Sequence, residues 1–257
     1  LQHEKIVKHI VGWLSSYSES SKTTGYVIGI SGGIDSALTS TLCALTGKKT
    51  ILLNLPIRQT SAEYSRAKEH IDQLQDRFEH VTSLEINLTE TFEQLEKTLP
   101  QETVAHHLAM ANTRSRLRMS TLYAVAQTHH CLVAGTGNKI EDFGVGFYTK
   151  YGDGGVDLSP IADLMKSEVF GLAQFLNVVN SIQKAKPTDG LWEDGRSDED
   201  QLGATYPELE WAMEFNGDEM TLSPRQIEVL SIYSKLHLQN KHKMDPIPVC
   251  AIPKEWK

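Results

Sequence analysis

Cysteine is scarce in this 257-residue sequence, and its three copies, Cys43, Cys131 and Cys250, stand far apart. An odd number, with no CxxC pair and no Cys/His spacing of the zinc type, excludes a disulfide framework and a structural zinc site; a reducing compartment is expected. Positive charge is also in short supply: 25 Lys and Arg against 33 Asp and Glu leave a formal charge of −8. A general nucleic-acid binder needs a basic footprint, so nucleic acid is not expected as a partner. No apolar run approaches the roughly 20 residues of a membrane span. The stretch Leu1-Gln2-His3-Glu4-Lys5 has neither the apolar core nor the cleavage site of a secretory signal. The expectation is a cytoplasmic chain with no membrane attachment. Repeats, low-complexity tracts and an interdomain linker are missing too, so residues 1–257 are expected to form one domain.

What is present is an alternation. Short β-branched runs at 26–30, 50–55, 81–86 and 131–134 are separated by helical patterns at 34–45, 61–75 and 103–127. This order predicts an α/β fold: a doubly wound, mostly parallel sheet with helices on both faces. Ligands of such sheets bind beyond the carboxyl ends of the strands, where the Gly-rich turns of this sequence fall. Further on, Gly195 to Asp200 reads as an acidic surface loop. Ser223 and Pro224 read as the cap and first residue of a helix, and 245–253, with three prolines, reads as extended.

The loop Ser31-Gly32-Gly33-Ile34-Asp35-Ser36 lies directly between a strand and a helix. Glycines let backbone N–H groups approach an anion, and the helix N-terminus adds a favourable dipole. Ser31 and Ser36 have hydroxyls to donate to phosphate oxygens. Asp35 repels phosphate unless a cation lies between them, which makes it a candidate Mg²⁺ ligand. The plainer reading is a Gly-rich turn with Asp35 and Ser36 capping the helix. The loop lacks the Lys of a Walker A motif. It resembles instead the SGGxDS signature of the PP-loop ATPases, which cleave ATP between its α and β phosphates. The loop alone therefore implies adenylation rather than a substrate.

A second block runs from Gly135-Thr136-Gly137-Asn138-Lys139-Ile140-Glu141-Asp142 through Gly146-Phe147-Tyr148-Thr149-Lys150-Tyr151-Gly152-Asp153-Gly154-Gly155-Val156-Asp157. A third is Asn112-Thr113-Arg114-Ser115-Arg116-Leu117-Arg118-Met119. Together with the loop, and from about Tyr17 to His242, they resemble the ammonia-dependent NAD synthetase family. That resemblance implies ATP contacts at Gly29, Ser31, Gly32, Gly33, Asp35, Ser36, Arg58, Lys166 and Thr188. It implies Mg²⁺ on Asp35 and Asp142, with Glu141 next door as the alternative. It places deamido-NAD against Tyr17, Asn112, Arg116, Phe147, Lys150, Asp153, Asp157, His242 and Lys243, with Asp153 and Lys166 catalytic. On a helix, Asn112, Arg116, Ser120 and Tyr123 share one face, which leaves Arg114 and Arg118 as solvated or salt-bridged. By residue type alone, Phe147 also suits a core, and Lys150 and His242 a surface.

The implied chemistry is amide formation. The nicotinate carboxylate attacks the α-phosphate of ATP, Mg²⁺ and Lys166 neutralise the phosphates, and neutral ammonia attacks the acyl-adenylate while Asp153 takes its proton. The implied substrates are ATP, deamido-NAD and ammonia, and the implied assembly is a homodimer. Larger relatives carry a fused glutaminase domain, for which 257 residues leave no room; a separate glutaminase partner stays open. Two rivals are another PP-loop enzyme, such as one modifying tRNA, and a non-catalytic ATP-binding module. The −8 charge and the lack of CxxC disfavour the first; the carboxylates beyond the loop disfavour the second.

Overall fold

The computed structural model describes residues 2–188 and 197–257. Four strands, β1 (Gly25–Gly29), β2 (Lys49–Asn54), β3 (Val81–Glu85) and β4 (Cys131–Val133), form a parallel sheet in the order β3-β2-β1-β4. The chain thus proceeds to one side of β1 and then crosses to the other. This switch point between β1 and β4 opens a crevice at the carboxyl ends of the strands.

Period-two alternation sends side chains to two cores. Tyr26, Ile28, Leu52 and Leu132 enter one; Val27, Ile51, Leu53 and Val133 enter the other. The first is covered by α1 (His3–Ser20), α2 (Ile34–Ala44) and α3 (Ser61–Arg77), through Ile10 and Leu14, Leu38 and Leu42, and Ile71 and Leu74. The second is covered by α4 (Thr89–Thr98) and, after the single turn α5 (Gln101–Val104), by α6 (His107–Thr128), through Phe92, Met110 and Ala126. Helices α7 (Lys166–Phe175) and α8 (Asn180–Gln183) return to the first face. The expected doubly wound arrangement is present.

Three elements extend the fold beyond the sheet: α9 (Asp198–Leu202), α10 (Tyr206–Glu214) and α11 (Pro224–Met244). With a π-helical turn at Ile140–Val145 they bury a third cluster that includes Ile140, Tyr206, Leu209 and Val229. Ser223 caps α11 by accepting from the Gln226 amide, with Pro224 at the first position, as the sequence predicts. The helix expected over 103–127 is instead broken: His106 adopts extended backbone and caps α6 by accepting from the Ala109 amide at 3.3 Å. The acidic stretch expected as a loop is in part helical, because Ser197 and Asp200 form a capping box that starts α9. The rest of that stretch, and Asp189-Gly190-Leu191, lie outside the described residues. Residues 246–253 carry neither helix nor strand. Among the described residues, no helix is long and apolar enough to cross a membrane.

Candidate active site

The crevice beyond β1 and β4 is a cleft of about 510 Å³ whose walls include the 31–36 loop. The loop is shaped by its own polar groups. The hydroxyls of Ser31 and Ser36 lie 3.1 Å apart, Ser36 Oγ donates to the Gly33 carbonyl at 3.0 Å, and the Gly33 amide donates to Ser31 Oγ at 3.2 Å. Gly32 has φ of +83°, and a Cβ there would meet the Glu63 carbonyl oxygen at 2.5 Å. Only glycine allows α3 to lie this close behind the loop. Gln59 and Arg66 brace it further, donating to the carbonyls of Ser31 and Gly32 at 3.1 Å each.

Lys166, the first residue of α7, crosses the cleft floor with its side chain 3% exposed. Its ammonium donates to Asp35 Oδ2 at 2.6 Å and to Glu141 Oε1 at 2.9 Å. Asn138 locks the same pair, donating to Asp35 Oδ1 at 3.0 Å and accepting from the Glu141 amide at 3.1 Å. Tyr206 closes the cluster from α10: its ring lies 4.8 Å from the Lys166 ammonium and its hydroxyl donates to Glu141 at 2.5 Å. Burial opposes the Lys166 charge, but Asp35 and Glu141 outweigh it and hold its pKa above the ordinary value.

Asp142 stands apart. Its carboxylate lies against Gly137 and makes no hydrogen bond or ion pair with the described residues. Burial, together with Glu141, Asp153 and Asp35, pushes its carboxyl up to about 8. Asp153 is fixed on the opposite wall, where Oδ1 accepts from Ser115 at 2.7 Å and from the Thr149 amide at 3.0 Å. Crowding by the cleft walls raises its carboxyl above the usual range, and the Ser115 hydrogen bond works against that rise.

The structure brings together Gly29, the loop with Asp35, Asn112, Asp142, Phe147, Asp153, Lys166, Thr188 and Lys243, all of which line the cleft. Asn112 accepts from the Thr149 hydroxyl at 2.7 Å, and Lys243 donates to the carbonyls of Tyr148, at 2.7 Å, and Gly146. Other expected residues lie outside the cleft. Arg116, Lys150 and His242 form a chain along its rim, Arg116 Nε donating to the Lys150 carbonyl at 3.3 Å and Lys150 Nζ to the His242 carbonyl at 2.7 Å. Asp157 accepts from the Val133 amide at 2.8 Å and from the Tyr123 hydroxyl at 3.0 Å. Tyr17 sits on α1 beside Trp13, at 5.8 Å between rings. Arg58 turns away to Glu93 and Glu96, 3.5 and 2.6 Å distant, and over the Phe92 ring.

The face of α6 is also corrected. Asn112 does face the cleft, but with Ala111, Ser115, Arg118, Met119 and Leu122, while Arg116 and Ser120 are exposed. Small and apolar residues at Ala111, Ser115, Met119 and Leu122 mark that face in the sequence, at spacings of three and four. Ser115, Arg118, Asn138 and Tyr206 are the residues that sequence reasoning missed. Tyr206 has no signal in the sequence, because only the packing of α10 brings it under Lys166.

The model of the NAD synthase family matches residues 6–246. The chain belongs to the NAD synthase family. The NH(3)-dependent NAD(+) synthetase of Mesoplasma florum is 36% identical over 262 residues, spanning 100% of this chain and 99% of that relative. Among solved structures, the NMN synthetase of Francisella tularensis superposes with a TM-score of 0.85 at 31% identity, over 99% of both chains. The NH3-dependent NAD synthetase of Campylobacter jejuni, in complex with a nitrate ion, gives a TM-score of 0.79 at 25% identity, over 98% of this chain and 100% of that one. Within the NAD synthase family this chain is a ligase that uses ATP.

Proposed function

We infer that this chain amidates the pyridine carboxylate of deamido-NAD with free ammonia, converting ATP to AMP and pyrophosphate through an acyl-adenylate. One observation carries the reading: the anion-binding loop, the Lys166 cluster and Asp153 open onto a single cleft. A phosphate site, a counter-charge and a proton acceptor are the three things this reaction needs side by side.

The amides of the 31–36 loop would hold the phosphates, and Lys166 would balance charge on the departing pyrophosphate. Asp153, with Oδ2 accepting no hydrogen bond from the described residues, would orient ammonium and take its proton. The donor set suits Mg²⁺. Among the described residues the cleft is lined by six carboxylates (Asp35, Glu63, Glu141, Asp142, Asp153 and Asp198) against five cations (Arg66, Arg118, Lys166, Lys186 and Lys243), and Asp142 forms an ion pair with none of them. Among the described residues, no three acidic, imidazole or thiol groups enclose an ion by themselves. This agrees with the usual binding of Mg²⁺ through one or two carboxylates plus phosphates. Asp35 with Glu141 or Asp142 would hold it, and it would supply charge neutralisation on the phosphates.

A second substrate is favoured by one specific feature. Of the residues assigned to deamido-NAD, Tyr17, Arg116, Lys150, Asp157 and His242 lie outside the cleft, so the cleft itself addresses the reacting half of the molecule. Nicotinate mononucleotide, the acid corresponding to NMN, carries that half alone. For the dinucleotide, a homodimer would add contacts to the rim. The reading also treats residues 1–257 as one catalytic unit and places it in the cytoplasm, where Cys43, Cys131 and Cys250 stay free.

The test supplies ATP and Mg²⁺ with either acid, and ammonium or glutamine, and measures amide, AMP and ADP. AMP formed in step with NAD from deamido-NAD and ammonium is expected. ADP as the nucleotide product would overturn the mechanism, and amidation of the mononucleotide alone would reassign the substrate.

A further inference from the structure

Arg118 occupies a place in the cleft that the proposed reaction has not yet used. It projects from α6 on the same face as Ser115, one turn later, and lines the cleft. Its Nε donates to the carbonyl of Leu55, just past β2, at 2.9 Å. That single bond fixes the plane of the guanidinium and leaves both terminal amino groups without an acceptor among the described residues. No carboxylate lies within ion-pair distance of it among those residues. Of the four other cations that line the cleft among the described residues, three are engaged. Lys166 is shared by Asp35 and Glu141, Lys243 serves two carbonyls, and Arg66 braces Gly32 from behind the loop.

A half-buried guanidinium without a carboxylate is costly unless an anion arrives. Burial and the neighbouring Arg114 lower its pKa to about 10, so it stays charged at neutral pH. One turn along α6 from Ser115, which holds Asp153, Arg118 shares the cleft with the phosphate loop and that carboxylate. A planar fork with two free donors matches a carboxylate or the oxygens of an acyl phosphate.

We propose that Arg118 is a catalytic residue that grips the carboxylate of the pyridine acid through its terminal amino groups and keeps hold of that group as it joins the α-phosphate. In this step a carboxylate oxygen forms a bond to the α-phosphorus and the bond from that phosphorus to the β-bridging oxygen breaks. Pyrophosphate leaves with the electron pair. Arg118 donates hydrogen bonds throughout and transfers no proton. The proposal rests on the functional reading given above.

Acid-dependent exchange of labelled pyrophosphate into ATP, without ammonia, reads this step alone. Arg118→Met is expected to lose that exchange by about a hundredfold or more, on the scale seen when one such donor is removed. Its ATP affinity, measured by equilibrium dialysis, is expected to stay within about threefold of wild type. Arg118→Lys keeps the charge without the fork and is expected to lose about tenfold; it decides the matter if Arg118→Met does not fold. Exchange at the wild-type rate in a folded variant overturns the proposal. A fall in ATP affinity that accounts for the whole loss would make Arg118 a contact of the ATP phosphates and overturns it equally. If wild type exchanges with neither deamido-NAD nor nicotinate mononucleotide, the functional reading itself fails and this proposal falls with it.

Discussion

Ser115 and Asp153 hold each other at both ends: the Ser115 hydroxyl donates to Asp153 Oδ1 at 2.7 Å and accepts from the Asp153 amide at 2.9 Å. One oxygen of the carboxylate is thereby fixed and the other left for a ligand. Ser115→Ala removes a hydrogen bond that lowers the Asp153 pKa, so that pKa rises further. Protonated Asp153 cannot take a proton from ammonium, and the acid limb of the rate profile is expected to move to higher pH. At neutral pH the loss in kcat/KM for ammonia is expected to be about tenfold, the value of one hydrogen bond to a charged group. A pH profile identical to wild type would count against Asp153 as the proton acceptor.

Asp142 makes a prediction about stability. Its folded pKa of about 8 lies well above the ordinary 3.8, so between those values the native state binds more protons than the unfolded chain. Stability from this group is present at low pH and is lost as pH rises through about 8. Asp142→Asn abolishes that loss. In a chelating buffer, its Tm relative to wild type is expected to climb from about pH 6 to about pH 9, by about 3 °C or more. A Tm difference independent of pH would show that Asp142 is not held in this state.

Lys166→Met leaves Asp35 and Glu141 buried without their cation. Breaking such a cluster costs about 3–5 kcal/mol, read by denaturant unfolding at mildly alkaline pH. The deficit is expected to shrink on acidification, because unpaired buried carboxylates take up protons. Mg²⁺ is expected to stabilise this variant more than wild type. A deficit unchanged by pH would place its origin in lost packing against Tyr206.

Two glycines with positive φ separate backbone strain from steric contact. Gly47 has φ of +71° and open space around a Cβ, whereas Gly32 has φ of +83° and backbone in the way. Gly47→Ala is expected to cost about 1 kcal/mol and leave ATP binding intact. Gly32→Ala is expected to cost at least about 2 kcal/mol and to abolish ATP binding in equilibrium dialysis, since the Glu63 carbonyl can yield only by moving α3. Retained ATP affinity in Gly32→Ala would remove the loop from the nucleotide site.

Much of the fold was legible because its signals are local. The β-branched runs around Val27, Leu52 and Val133 and the glycines after β1 and β4 carry their own periodicity and turn chemistry. Helices α1, α4, α7, α8 and α10 are not among the elements the sequence predicts. In α1, Ile6, Ile10 and Leu14 are spaced at four but sit among polar residues; α4 has Phe92 as its one buried side chain. The break before α6 turned on a histidine cap, which no periodicity marks.

Within the site, residue type at short spacing is enough to specify the loop, the acidic blocks at the strand ends and the family resemblance they carry. Which groups meet depends on long-range packing. It placed Lys166 between Asp35 and Glu141, 131 and 25 residues away along the chain, and slid Tyr206 beneath it. It turned Arg118 into the cleft and Arg116 out to the rim. A helix fixes only the angle between its side chains; which angle faces the cleft is set by packing. Here Met110, Leu117 and Ala126 pack into the second core and orient α6 against Val27, Ile51 and Leu53, which lie far from the arginines in sequence.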